Sequence, residues 1–203
     1  MRKGAQTSAQ KGVTMIKAAI GTVSDFFGAF TGKDIGQHRV SQFANKDPNS
    51  KYACFFTCCL MYFKTVYKVK FTFDEYKREC LRAGAIRNDF WLLDHSKMAA
   101  AAGYPNLKSY NTSENIREKI YELILKGQPV IFSLSGKHYE SIDGFETTEG
   151  GDILFHVDDP GGQGDTFALA SELCVFKMVD GKRVYSKHPN GAKRKITTVY
   201  WFA

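Results

Sequence analysis

The sequence predicts an α+β domain, with helices in the first half of the chain and antiparallel strands in the second. The chain has 203 residues, which suits one domain with a single core. Its composition, 43% hydrophobic and 14% aromatic, is that of a soluble globular protein and argues against a wholly disordered chain. The spacing of apolar residues then changes from helical to strand-like after about residue 128, which separates the two halves.

The first half contains several helical patterns. The segment at 54–69 is apolar on nearly every side, which is typical of a buried helix at the centre of a domain. Thr72 and Glu75 match a capping box, in which the two residues cap one helix N-terminus reciprocally. The helices are expected at 13–31, 54–69, 72–83 and 94–103, and from Thr112 or Ser113 to Gly127.

The second half alternates short apolar runs with turn signals. Asp180-Gly181 between two apolar runs is a strong hairpin signal, and Glu149-Gly150-Gly151 marks another turn. The strands are expected at 129–135, 138–146 and 152–157, on both sides of Asp180-Gly181, and at 196–202. Consecutive strands joined by short turns predict an antiparallel sheet.

The domain organisation is expected to be simple. Residues 1–36 are read as an N-terminal arm, partly helical or flexible, and 37–203 as the domain. The helical pattern in the arm favours a packed segment, with an amphipathic surface anchor as the alternative. No run of about 18 uncharged apolar residues exists, and no classical export signal is recognisable. We therefore expect no membrane span and a cytoplasmic protein, with release or delivery by a phage as the alternative.

The charge is concentrated at the two ends of the chain. The formal net charge is +7, made up of +5 in 1–53, −4 in 54–176 and +6 in 177–203. Nucleic-acid binding would need basic residues clustered on one face with interleaved aromatic residues, so we expect no nucleic-acid partner. The basic ends could instead attract an anionic surface such as a cell wall or lipid headgroups.

The cysteines favour reduced thiols. Their number is odd and no C-x-x-C pair occurs, which argues against a disulfide scaffold and a structural zinc site. The first of them opens the predicted buried helix, where the helix dipole favours a thiolate. That placement suits a nucleophile. The five residues are Cys54, Cys58, Cys59, Cys80 and Cys174.

A thiol nucleophile needs a histidine and a group that orients it. His138 begins one predicted strand, and Asp158 and Asp159 end the next. If these strands form a hairpin, one of the two carboxylates lies near His138; the sequence leaves open which one. His156 is an alternative base or metal ligand, whereas His95 is expected to be solvated.

Four segments resemble one family. CFFTCCLM at 54–61 resembles the nucleophile helix of papain-like cysteine peptidases of the bacteriocin-processing, double-glycine leader type, with Thr57 and Met61 matching. GKHY at 136–139 with the following Gly-Phe resembles the histidine strand of that family. The Asp-Pro motif is matched at 157–161, and QPVI at 128–131 resembles the strand before the histidine.

The resemblance implies a papain-like fold and specific roles. Cys54 would attack the scissile carbonyl, His138 would move the proton, and Asp159 would orient His138. Gln42, or failing that Gln37, would donate to the oxyanion. The sequence departs from the family at Phe55-Phe56, where Gly-Pro is usual, and two rings there would narrow the cleft or change the turn into the helix.

We therefore predict a thiol hydrolase that cleaves peptide or isopeptide bonds and needs no cofactor or metal. The resemblance suggests a bacterial or phage protease, acting on a peptide, a protein or a peptidoglycan stem peptide. One alternative is a catalytically inactive papain-like module for binding or assembly. A third hypothesis, a nucleic-acid or membrane-surface binder, depends only on the basic ends of the chain.

Overall fold

A computed structural model describes residues 32–36, 39–43, 47–104, 106–111, 115–135, 138–162 and 166–203. One compact unit spans Lys33–Ala203. The predicted N-terminal helix, Gln37 and the Gly136-Lys137 part of the histidine motif lie outside the described residues.

The described helices confirm the predicted pattern. They are α1 (Cys54–Val66), α2 (Phe73–Arg82), α3 (His95–Ala101) and α4 (Ile116–Leu125), and a short 3₁₀ turn at Ser50–Tyr52 precedes α1. The capping box is present, since Glu75 N donates to Thr72 Oγ1 and Thr72 N donates to Glu75 Oε2. Over the residues that the structure covers, no helix has the length and apolarity needed to cross a membrane.

The strands form one sheet on which α1 packs. They are β1 (Gly32–Asp34), β2 (Leu107–Tyr110), β3 (Val130–Leu134), β4 (His138–Thr147), β5 (Ile153–Asp158), β6 (Thr166–Leu169), β7 (Val175–Val179), β8 (Lys182–Tyr185) and β9 (Ile196–Phe202). The order is β2-β9-β3-β4-β5-β6-β7-β8, each neighbouring pair being antiparallel, and β1 pairs with β4. The predicted α+β fold, with a buried central helix on an antiparallel sheet, is confirmed.

Helix α1 is the centre of the core. Eleven of its 13 residues are buried, as its all-round apolar sequence predicts. The Tyr62 hydroxyl donates to Phe202 O at 3.1 Å, and Cys58 Sγ contacts Tyr139 O at 3.5 Å. These contacts hold the helix against β9 and β4. The helix ends at Val66, three residues before the predicted end, and Lys68 just beyond it has φ 56°, outside the helical region.

Gly144 in β4 allows β1 to approach β4 closely. The register of β4 against β5 shifts between Ile142 and Gly144, which is the mark of a β-bulge. Beside it, a Cβ atom on Gly144 would lie only 2.7 Å from Lys33 O. Ile35 N also donates to Asp143 O, so β1 is bound to the bulged segment by its backbone.

Gly144→Ala is therefore expected to destabilise the domain by about 1–3 kcal/mol, because the new methyl group overlaps a backbone oxygen that cannot rotate away. Denaturant unfolding measures the change in the free energy of unfolding. Gly150→Ala is the matched control, since its Cβ atom would meet nothing closer than 4.0 Å. Equal stability of the two variants would contradict the close approach of β1.

Candidate active site

Cys54 occupies the first position of α1. The helix N-cap is Ala53, which offers no side-chain cap, and the first turn contains no acidic residue. The N–H groups of a first helical turn have no intrahelical partner, and the dipole is positive at this end. The local sequence therefore places the Cys54 sulfur where negative charge is favoured.

The other four cysteines are in a different environment. Cys54 is 8% exposed, whereas Cys174 is 3% exposed and the remaining three are fully buried. Burial raises the pKa of Cys58 and Cys59 well above the usual value and that of Cys80 to about 12, and it also raises the pKa of Cys174. These four thiols are protonated at neutral pH, which makes them poor nucleophiles.

His138 connects Cys54 to a carboxylate. Its Nε2 atom donates to Asp159 Oδ1 at 3.0 Å, and the Cys54 side chain lies near enough to the ring to raise the pKa of His138. Since Nε2 faces Asp159, Nδ1 is the ring nitrogen left for Cys54. Asp159 is fixed in turn, because Gly161 N donates to the same Oδ1 atom at 2.7 Å.

The electrostatics of this chain favour a charged imidazole. Burial on its own lowers the pKa of His138, but the hydrogen bond to Asp159 and the nearby Cys54 side chain outweigh burial and raise that pKa to about 10. Burial would likewise raise the pKa of Asp159, yet its bonds to His138 and to Gly161 N hold the pKa below the usual value. At neutral pH the pair is therefore an imidazolium and a carboxylate.

Asp158 has different partners from Asp159. Its Oδ1 atom pairs with Arg39 Nε at 2.7 Å, and its carboxyl group lies against that of Asp143. Burial, followed by the charge of Asp143, raises the pKa of Asp158. Of the two carboxylates that the sequence left open, only Asp159 contacts His138.

Gln42 lies next to the Asp159 loop. Its backbone N–H donates to Pro160 O at 2.9 Å, and its side chain is 3% exposed. Its Oε1 atom is buried with no hydrogen-bond partner among the described residues. The backbone of Gln42 is thus bound to the loop that follows Asp159.

A second buried acid stands beside His138. Glu140 is 3% exposed, and its Oε1 atom lies 3.5 Å from His138 Nε2. Burial, together with the charge of Asp159, raises its pKa to about 8 against the opposing effects of His138 and Arg194. The sequence analysis missed this residue, although side chains two positions apart in a strand share a face and could have shown it.

Two sequence expectations are wrong. Phe55 and Phe56 do not narrow a cleft, because both rings are buried, Phe55 against Tyr139 and Phe56 against Tyr76. Helix α1 nevertheless begins at Cys54. His95 is not solvated but half-buried: it stacks on Tyr200, its Nε2 atom lies 3.3 Å from the Tyr139 hydroxyl, and burial lowers its pKa.

His156 belongs to another part of the sheet. It pairs with Gly144 across β4 and β5 and lines a cavity of about 330 Å³. It is absent from the metal-ligand cluster found within the described segments. The other residues lining the cavity are Asp34, Gly36, Arg39, Asp143, Val157, Thr166 and Phe167.

The likeness of this chain to known proteins is partial. No protein-family model matches the chain, and no curated protein matches it. Among solved structures, UfSP from C. elegans superposes with a TM-score of 0.48 at 14% identity, over 84% of this chain and 33% of that one. The chain thus spans about a third of the length of that protein. A likeness of this size does not identify the reaction.

The charge state of His138 can be tested directly. We expect its imidazole to stay protonated well above pH 7 and to titrate near pH 10. The pKa of His138 in the folded protein lies above its unfolded value of 6.5, so the charged imidazole stabilises the fold. This stabilisation is complete below pH 6.5 and is lost as the pH rises through about 10. Nitrogen NMR of the histidine side chains against pH measures the titration.

Asp159→Asn should move the midpoint of His138 downward, because the neutral amide no longer stabilises the imidazolium. Asp158→Asn is the matched control, since that carboxylate has other partners, and it should leave the midpoint nearly unchanged. A wild-type midpoint near 6.5, or equal shifts in the two variants, would contradict the site described.

Proposed function

We propose that the domain is a papain-like thiol hydrolase that cleaves peptide or isopeptide bonds. The observation that carries the proposal is the series Cys54–His138–Asp159, in which His138 is hydrogen-bonded to Asp159 and Cys54 lies near the imidazole at the N-terminus of a buried helix. A nucleophile, a base in contact with it and a group that orients the base are the components of nucleophilic acyl transfer. The Cys–His–Asp order in the chain is that of the family it resembles.

The roles follow from the positions. Cys54 would attack the scissile carbonyl carbon, and its sulfur would form the acyl-enzyme bond as the C–N bond breaks. The His138 imidazolium would protonate the departing amine and then take a proton from the incoming water. Asp159 would hold the imidazole through Nε2, so that Nδ1 stays turned toward the sulfur.

The oxyanion needs preorganised donors. The backbone N–H of Cys54 is one candidate, because it lies in the first turn of a helix. The second is the side-chain NH₂ group of Gln42, a buried residue whose backbone N–H donates to Pro160 O, next to Asp159. The amide oxygen of Gln42 has no partner among the described residues, so turning the amide would break no hydrogen bond to that oxygen.

The proposal covers the domain and its substrates as well. The reaction is assigned to 37–203, with 1–36 as an arm. The sequence motifs further suggest the bacteriocin-processing type. They also suggest a peptide, protein or peptidoglycan substrate in a bacterial or phage setting. Attraction of the basic chain ends to an anionic wall or surface would be sensitive to salt.

Turnover should depend on the thiol. We expect Cys54→Ala to abolish cleavage in a panel of fluorogenic peptides, isopeptide-linked conjugates and peptidoglycan fragments, because no other described cysteine is activated. Cys174→Ala is the matched control and should retain cleavage. Mass spectrometry of the products identifies the bond cut. Unchanged turnover in Cys54→Ala would refute the proposal and favour a binding module on the same fold.

Loss of the oxyanion donor should reduce the chemical step. We expect Gln42→Ala to lower kcat by about 10²–10³-fold with a smaller change in KM, since a transition-state interaction is lost. Gln128→Ala, at the turn before β3, is the control and should leave kcat unchanged. A fall in kcat of less than about threefold for Gln42→Ala would show that Gln42 is not an oxyanion donor.

A further inference from the structure

A cluster of three possible metal ligands lies behind the His138 ring. One ligand atom each from His138, Glu140 and Asp159 can be chosen so that all three lie within 4.8 Å of one another. Nε2 is 3.0 Å from Asp159 Oδ1 and 3.5 Å from Glu140 Oε1. Two atoms that each lie about 2.1 Å from one ion, at angles near 90–110°, are about 3.0–3.4 Å apart. The two distances from His138 Nε2 are therefore already near those of a coordination shell, and the two carboxylate oxygens lie within 4.8 Å of each other.

A second, independent observation points to a ligand. Glu140 is 97% buried, and its Oε2 atom has no hydrogen-bond partner among the described residues. A buried carboxyl oxygen without a partner is unfavourable, because it has lost its hydration without compensation. An ion bound by both oxygens of Glu140 would supply that missing interaction while Oε1 stays beside His138.

We propose that His138 Nε2, Glu140 and Asp159 bind a divalent transition-metal ion of the zinc type, and that the bound ion reversibly blocks the proposed hydrolase. The inhibition part depends on the function proposed above, whereas the binding part does not. The ion lies on the Asp159 side of the imidazole, so the thiol is not one of its ligands.

The donor set selects the kind of ion. One imidazole nitrogen with two carboxylate oxygens suits zinc and its first-row neighbours, whereas magnesium and calcium prefer oxygen alone. The side chains of Glu140 and Asp159 are 4% and 5% exposed, so the ion would be held in a largely dry site. The two carboxylates would balance its charge.

Inhibition follows from the ring nitrogen that the ion would occupy. Nε2 would bind the ion in place of its hydrogen bond to Asp159 Oδ1. The Cys54–His138–Asp159 series, on which the proposed reaction depends, would then be interrupted at its carboxylate end. Removal of the ion with a chelator would restore it.

The test is titration calorimetry of the full chain with zinc chloride, in a non-thiol reductant. We expect one zinc site in the wild type, and in Glu140→Gln an affinity weaker by at least about tenfold. Glu146→Gln is the matched control, an exposed carboxylate on the same strand, and should bind like the wild type. Equal affinity in both variants, or no zinc binding by the wild type, would overturn the proposal.

Two measurements keep the test decisive if Glu140→Gln fails to fold. In the wild type, zinc should shift the Nε2 resonance of His138 more than the Nδ1 resonance, because Nε2 is the nitrogen that binds the ion. Cobalt should bind without a sulfur-to-metal charge-transfer band and should bind equally to Cys54→Ala. A sulfur band that disappears in Cys54→Ala would show a thiol-bound ion and overturn the assignment.

These results separate the two proposals. If the protein binds zinc but cleaves no substrate of the panel, the metal-site proposal is supported and the hydrolase proposal is refuted. If the protein cleaves a substrate but binds no zinc, the hydrolase proposal is supported and the metal-site proposal is refuted.

Discussion

The packing of the first turns of α1 against β4 determines the rest of the site. Cys58 Sγ contacts Tyr139 O, and Phe55 packs on the Tyr139 ring. Cys58 lies one helical turn after Cys54, and Tyr139 is next to His138. The contact between Cys58 and Tyr139 therefore brings the Cys54 thiol and the His138 imidazole together at the edge of the core. Phe55 contributes to this packing, whereas the Phe56 ring packs against Tyr76.

The second constraint is the cost of burying charge. His138 is mostly buried, and an imidazolium there would be unfavourable without Asp159 and Cys54. Asp159 is in turn stabilised by a hydrogen bond from Gly161 N, so the backbone of the loop after β5 stabilises the carboxylate charge of the site. Strongly shifted ionisable groups that depend on one another are a recognised feature of functional sites. Glu140 adds a further carboxyl group that the proposed chemistry does not use.

Much of this arrangement could be predicted from the sequence, for reasons visible in particular residues. The all-round apolar pattern of α1 and the Thr72–Glu75 cap are local signals, and both are correct. The short strands β1, β2 and β6 carry too few residues to show a period, and their pairing depends on distant partners such as Gly144. Asp158 and Asp159 could not be told apart because the choice depends on how the chain turns after β5. His95 was misread because its aromatic partners come from other segments of the chain.

The most direct measurement is the rate at which each of the five cysteines reacts with iodoacetamide in the folded protein, from about pH 5 to about pH 9, mapped by mass spectrometry. The account predicts that Cys54 reacts far ahead of the other four even at the acidic end, and that His138→Ala removes this advantage. Modification of Cys54 no faster than that of Cys80, or a rate unchanged by the loss of His138, would contradict the thiol–imidazole pair on which the account depends.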